Sequence, residues 1–481
     1  MKKTTKSLIA LAGAALVMSA LLAVYVWQSG RVQPEDEAEQ PEELSVVLVD
    51  RKESDIESVS FTSNGRTFTL KSEPFAGIED SVIWIYADDP DFPVNDYNVI
   101  NMVRAFHNLV ADERFLTEVD DPAEYGLDPA EAVVVGKYRD GTFMTLYVGN
   151  KTPDREQMYF MVSGDDSLYL MPAYLGERYT FDEDYFIDKY LPELTLTEIK
   201  HVYVNQKGRP LLECLYRGTE EDLMALYEEY NAISIFMLSP LLNRELYYTS
   251  FQTNVLINFD YFYFGELIEM YPEDLSVYGL HEPVLEVILE DFDNRIHLLF
   301  GYEADGDTIY SKHADKPYVF KTSYHYIKDF FDIDAFQLVA RHTALHDIRD
   351  CKNVTVDYAG DPPWKCDITI VFIRDQEAND GTGDMTAVVN GRLFPDRQVR
   401  VFYRNLLSIV YDRDIPVFVP AEPPVFTVSF EMSDGNIHTY KYFTYDANFY
   451  AVQEGDDPII FVTNRIAVEY MLSLALELTQ D

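Results

Sequence analysis

Cysteine, basic charge and catalytic signatures are what this 481-residue sequence has least of. Its three cysteines, Cys214, Cys351 and Cys366, are too few for a disulfide scaffold and lack the C-x-x-C spacing of a zinc site. Cys351 and Cys366 flank the turn-like Ala359-Gly360-Asp361-Pro362-Pro363, so a hairpin there would bring the sulfurs toward each other. A disulfide and two buried thiols are both open readings. Thirty-eight basic residues face 83 acidic ones, for a net charge of −45. Such a field repels phosphate backbones and excludes nucleic acid as a partner. The common hydrolase, metalloprotease and nucleotide signatures are also missing: there is no H-E-x-x-H, G-x-S-x-G, P-loop or G-x-G-x-x-G. The chain is therefore expected to be non-enzymatic, with no catalytic residue, cofactor or metal ligand to assign.

Apolar and aromatic residues are plentiful. Hydrophobic side chains make up 47% of the chain and aromatics 14%, with 35 Tyr and 30 Phe, the composition of a folded, β-rich protein. At this length two to four domains or repeated units are expected. One uninterrupted apolar run, residues 8–27 from Leu8 to Trp27, contains no charge. Twenty helical residues rise about 30 Å, enough to span a bilayer's hydrocarbon core. Lys2, Lys3 and Lys6 precede it, which favours a cytoplasmic N-terminus (residues 1–7) and an extracytoplasmic body. Tyr25 and Trp27 close the run as interfacial aromatics do, favouring an uncleaved single-pass anchor over a signal peptide, and either reading exports the body. With no cysteine near the run to acylate, a lipoprotein is excluded. Residues 28–44 are acidic and proline-interrupted, a linker.

Beyond the linker the chain echoes itself, and the fold class expected is α+β: three diverged repeats of antiparallel β-hairpins plus helices, preceded by one transmembrane helix. Units 45–195, 196–346 and 347–481 open alike, at Asp55–Phe61, Glu198–Val204 and Asp347-Ile348 with Val354–Tyr358. Each opening reaches a glycine turn, at Asn64-Gly65, Lys207-Gly208 or Ala359-Gly360, and then a second strand. Amphipathic helices are read from Ile100, Val103, Phe106 and Val110, and from Val399, Phe402, Leu406 and Ile409-Val410. A weaker one is read in the middle unit from Val255, Leu256, Phe259 and Phe262 or Tyr263. The clearest echo is Glu124-Tyr125-Gly126-Leu127-Asp128-Pro129 against Val277-Tyr278-Gly279-Leu280-His281-Glu282-Pro283. Each precedes a strand, a turn (Asp140-Gly141; Asp293-Asn294), another strand and a glycine (Gly149; Gly301). The third unit lacks Tyr-Gly-Leu but keeps strand, Asp434-Gly435 turn and strand. Each unit closes with tyrosine- and phenylalanine-bearing strands, and the last ends in a helix-like tail, Asn464–Leu478.

Tyr125-Gly126-Leu127-x-Pro129, the Asp140-Gly141 hairpin leading to Gly149, the Trp84–Pro93 approach to the first helix and the N-terminal anchor resemble proteins carrying domain of unknown function 4340. Tyr278-Gly279-Leu280 looks like a second copy, so the resemblance covers residues 45–340 well and the third unit loosely. Members of that family tend to be encoded beside ABC-type transporter components, including gliding-motility auxiliary subunits. The resemblance thus implies an accessory role at an exporter-like complex, with transporter subunits as partners. It brings no catalytic or binding residue.

Several patterns invite chemistry and meet a plainer explanation. His342 and His346 at i, i+4, followed by Asp347, would share one face of a helix as metal ligands do, but two ligands are not a site. The acidic turns Glu303–Asp307 and Asp375–Asp384 suggest calcium, although Gln376 and Ala378 occupy positions where an EF-hand needs carboxylates. Tyrosine-rich strands could line a carbohydrate or peptide groove, but their alternation fits core packing better. Tyr125 and Tyr278 read as turn markers. The expected function is that of a membrane-anchored extracytoplasmic accessory or binding protein. The alternative is an exported enzyme or ligand receptor for cell-envelope polymers, which requires a deep cleft of converging carboxylates and aromatics.

Overall fold

A computed structural model describes residues 46–222, 235–257, 262–331, 333–373 and 384–480. The apolar segment 8–27, the linker, most of Asp375–Asp384 and Phe259 lie outside them. Among the described residues no helix is long and apolar enough to cross a membrane.

The body is built from antiparallel sheets with helices laid on one face. A two-stranded ribbon pairs Val46–Asp50 with Asn108–Ala111. The first large sheet runs, edge to edge, Val82–Tyr86, Arg66–Pro74, Ile56–Ser63, Ala132–Tyr138, Phe143–Lys151, Gln157–Val162, Leu168–Pro172 and Glu113–Leu116. The second runs Arg244–Glu245, Phe236–Ser239, Leu212–Leu215, His201–Gln206, Leu285–Glu290, Arg295–Asp305, Thr308–His313, Val319–Ser323 and Glu266–Glu269. The third runs Arg392–Phe394, Asp384–Val389, Trp364–Ile373, Cys351–Tyr358, Phe426–Met432, Ile437–Thr444, Phe449–Glu454, Ile459–Asn464 and Tyr411–Phe418. One strand order is therefore used three times, the first sheet lacking only the short strand that opens the other two. In each, the opening strand pairs on one side with its hairpin partner and on the other with a strand far along the chain. Phe61 faces Val134, Val204 faces Val287 and Val356 faces Val428 across that second pairing.

Alternation along these strands decides which face is covered. Ile56, Val59, Phe61, Phe68 and Leu70 turn inward in the first sheet, and Phe61 and Phe68 stack at 4.9 Å. The short helices after the last strand return Phe186 to this cluster, 5.0 Å from Phe68. Helix Asp96–Val103 starts where the Asn95 side chain accepts the Asn98 N–H at 3.1 Å, and it buries Val99, Met102 and Val103. Val110, expected on this helix, lies instead on the ribbon opposite Val47. The helix gives way to a tight turn at Arg104–Phe106 because Phe106 fills the space above Gly136, and the Tyr138 hydroxyl donates to the Phe106 carbonyl at 2.8 Å. In the third sheet the amphipathic reading holds for Val399, Phe402 and Leu406 on helix Asp396–Leu407, while Val410 has left it. The tail helix runs Arg465–Gln480. The middle unit's helix is only Tyr248–Phe251 followed by a wide turn, Gln252–Leu256, and Tyr263 has already left it to bridge Tyr190.

The two Tyr-Gly-Leu elements share one turn geometry. Asp121 and Asp274 cap a short 3-10 turn by accepting the N–H of Ala123 (3.1 Å) and Ser276 (2.8 Å). Gly126 and Gly279 end it at φ +70° and +69°, a conformation glycine adopts without strain. Leu127 and Leu280 are then buried. A β-carbon at Gly149 or Gly301 would collide with the carbonyl oxygen of Tyr125 or Tyr278, so the second strand of the following hairpin must carry glycine there. The tyrosine rings meet Tyr159 and Tyr310 edge-on, both at 5.0 Å. Gly301→Ala is expected to destabilise the fold by about 1–3 kcal/mol through this overpacking, read as a lowered urea midpoint. A midpoint equal to wild type would show that the turn and strand do not touch as described.

Candidate functional site

Described residues up to Asp188 form one compact unit, and those from Lys189 onward form a second that holds both the second and third sheets. Within this second unit the chain at Leu338–Thr343 is a seam. On one side Tyr247 N–H donates to Leu338 O (2.8 Å) and Ala340 N–H to Glu245 O (2.9 Å). On the other Tyr411 N–H donates to Arg341 O (2.7 Å) and Thr343 N–H to Ile409 O (3.0 Å). Arg244, from the edge of the second sheet, reaches Glu454 of the third at 2.7 Å and lies over the rings of Tyr411 (5.1 Å) and Phe461 (5.0 Å). From Glu454 the contacts run to the Tyr440 hydroxyl at 3.4 Å and from there to His346 Nε2 at 3.0 Å.

This placement revises the histidine reading. His342 and His346 lie outside any helix, so their i, i+4 spacing does not bring the two imidazoles together as ligands. His342 bridges Val410 and its Nδ1 lies 3.1 Å from the Leu407 carbonyl. His346 packs against Phe430 and His438, both at 4.6 Å, and its own carbonyl accepts the Tyr403 hydroxyl. Burial, and secondarily His438, pushes the His346 imidazole down to about 4. A histidine held neutral in the fold and free to protonate when unfolded costs stability as pH falls. The contribution is complete above about pH 6.5 and drains away toward pH 4, by roughly 1–3 kcal/mol. Urea midpoints are expected to fall over that window in wild type and to fall less in His346→Gln. Parallel slopes would refute the assignment.

The disulfide reading is corrected as well. All three cysteines are free and buried. The hairpin forms as expected, but Cys366 lies opposite Val356, well along the strand from Cys351, whose sulfur sits 3.0 Å from the Tyr403 hydroxyl. Burial pushes the Cys214 and Cys366 thiols up to about 12, leaving almost no reactive thiolate at neutral pH. Unreduced native protein should resist alkylation and titrate three thiols once unfolded. Fewer than three would restore the disulfide.

Among the described residues no cluster of His, Cys, Asp and Glu is arranged to hold a metal ion. The Glu303–Asp307 turn is a hairpin tip in which Asp305 accepts from the Thr308 hydroxyl (2.6 Å) and pairs with Lys321 (3.2 Å). Grooves of about 330, 320 and 300 Å³ mark the surface. Asp329 and Asp334 share the second, but Asp334 is occupied capping Phe336 N–H at 3.0 Å. Tyr169 and Tyr450 of the closing strands and Tyr318 just before one are buried in packing, as are Tyr411 and Tyr442 on neighbouring strands.

What remains in contact with water on each sheet is the face opposite the helices, laced by cross-strand polar pairs. The first sheet carries Ser60–Thr69 (2.8 Å), Thr62–Thr67 (2.9 Å) and Lys137–Glu57 (2.7 Å). The second carries His201 between Glu213 (3.2 Å) and Glu290 (3.6 Å), and His297 on Glu286 (2.8 Å). The third carries Asn353–Asp367 (2.7 Å) and Lys352–Glu431 (3.0 Å). Half-exposed pairs of this kind add about 0–1 kcal/mol each, so folding does not dictate their identity. His201 and His297 were not singled out from sequence as functional, and only their alternation with inward apolar residues signals the face they occupy.

Comparison with known families adds one finding. The family model described as domain of unknown function, DUF4340, matches residues 84–229. The chain carries a DUF4340 region. That region begins at Trp84 on the first sheet, takes in Tyr125-Gly126-Leu127 and the Asp140-Gly141 hairpin, and ends before Tyr278-Gly279-Leu280, a narrower span than the motifs had suggested. No curated protein and no solved structure matches the chain.

Proposed function

We propose that this is a membrane-anchored extracytoplasmic accessory protein. Residues 8–27 hold it in the cell membrane as a single pass with the N-terminus cytoplasmic. The three repeats bind other membrane proteins, with subunits of an ABC-type transporter as the partners that the DUF4340 resemblance implies. The observation that carries the reading is a strand order used three times, each copy carrying cross-strand polar pairs on the face turned away from its core. Repeated folds commonly present such surface for partners. A net charge of −45 adds long-range steering toward basic patches.

The alternative, an exported enzyme or polymer receptor, needs converging groups in a deep cleft. In the groove shared by Asp329 and Asp334 the Asp334 carboxylate is already engaged, which lends that reading little support. Affinity capture of the full chain from gently solubilised membranes is expected to recover transporter subunits. Charge reversal on one open face, such as Glu213→Lys with Glu286→Lys on the second sheet, is expected to lower that recovery several-fold and so to map the surface. Capture that returns no transporter subunit under low- or high-salt conditions would refute the accessory role.

A further inference from the structure

In the first unit, the connection between strands Arg66–Pro74 and Val82–Tyr86 places apolar side chains where loops usually carry polar ones. Phe75-Ala76-Gly77-Ile78 forms its tip, with Phe75 47% and Ile78 57% exposed. The tip has a fixed shape. Phe75 N–H donates to Ser81 O (2.9 Å), Ile78 N–H to Phe75 O (3.5 Å) and Ser81 N–H to Ile78 O (3.4 Å), with Gly77 at φ +95° making the reversal. Lys52 then pins the far side of the loop through Asp80 at 2.6 Å. Lys52 lies just beyond Val46–Asp50, the strand by which the chain enters the unit.

We propose that this loop is a second membrane contact, inserting Phe75 and Ile78 into the headgroup region of the bilayer that residues 8–27 anchor. The inference rests on the anchored reading given above. Two side chains offer far too little area for a stable protein interface, which buries about 1,200–2,000 Å². Shallow insertion of one aromatic and one aliphatic residue is a weak lipid contact that needs a second signal. The anchor supplies that signal: residues 28–45 reach at most about 60 Å, which keeps the loop at an effective lipid concentration on the order of millimolar or higher. Glu73, Glu79 and Asp80 border the tip, so the surface it suits is zwitterionic and not anionic.

The test uses the full chain reconstituted in phosphatidylcholine vesicles. Flotation comes first: a chain that stays unbound refutes the anchored reading and this proposal with it. Where the chain floats, Phe75→Trp is compared with Tyr97→Trp, a control at an exposed helix position, after subtracting wild-type emission. The added emission of Phe75→Trp should shift to the blue and be largely lost when the acyl chains are brominated, while that of Tyr97→Trp is unchanged. Ile78→Trp serves as a second probe if Phe75→Trp misfolds. A floated chain in which neither loop variant's added emission responds to bromination overturns the proposal and leaves the loop to a protein pocket.

Discussion

Each sheet depends on one long-range pairing, that of its opening strand with the strand that follows the crossover: Ile56–Ser63 with Ala132–Tyr138, His201–Gln206 with Leu285–Glu290, Cys351–Tyr358 with Phe426–Met432. Without it, each repeat would be two separate meanders, and neither could bury its apolar face alone. Loop-closure entropy opposes so distant a pairing, and the crossover offsets this by laying its helices over the sheet it closes. In the first two repeats the last step before that pairing is the capped 3-10 turn, with the carbonyl of Tyr125 or Tyr278 pressed against a glycine on the second strand of the hairpin that follows. The third repeat reaches the same pairing without the turn. Its edge strand Tyr411–Phe418 is longer and runs on through a proline-bearing link to Phe426.

This division explains what could be read from residues alone. Hairpins were legible because alternation and glycine turns are local, so the strands around Asn64-Gly65 and Asp140-Gly141 fall where the pattern puts them. The repeat of strand order was legible for the same reason, through Tyr-Gly-Leu and the turns after it. Helix ends were not. Val110 and Val410 continue a three–four spacing, yet tertiary contacts stop each helix first, and the next residues are taken by strand pairing. Histidine spacing misled in the same way, since i, i+4 brings two side chains together only on a helix, and His342 and His346 lie outside any helix. The cysteines show the converse: a hairpin was correctly inferred, but the strand register sets Cys366 opposite Val356.

The seam inside the second unit had no sequence signal at all. Arg244 stands in a two-residue strand, and nothing near it marks a partner so far along the chain. Its value comes from surroundings: Glu454 for its charge, Tyr411 and Phe461 for its flat face. Arginine suits this position better than lysine, because a planar guanidinium stacks on rings while bonding a carboxylate in its own plane. The backbone bonds along Leu338–Thr343 add a continuous ladder between the two sheets. The second and third repeats are thereby packed into one compact unit.

The contrast between the two faces of each sheet bears on the proposed role. The open faces are polar and only weakly committed to stability, whereas the covered faces are dense with aromatic side chains, and such close packing tolerates little change. Substitutions can therefore accumulate on one side of each sheet without disturbing the other, which is what a scaffold specialised for different partners requires. His201 and His297, each held on glutamates in the second sheet, and the Ser-Thr pairs of the first show how far those faces already differ. Under the proposed role, specificity would come from which charges sit on which face, because the net field would attract any basic partner and only local pairing would distinguish among them.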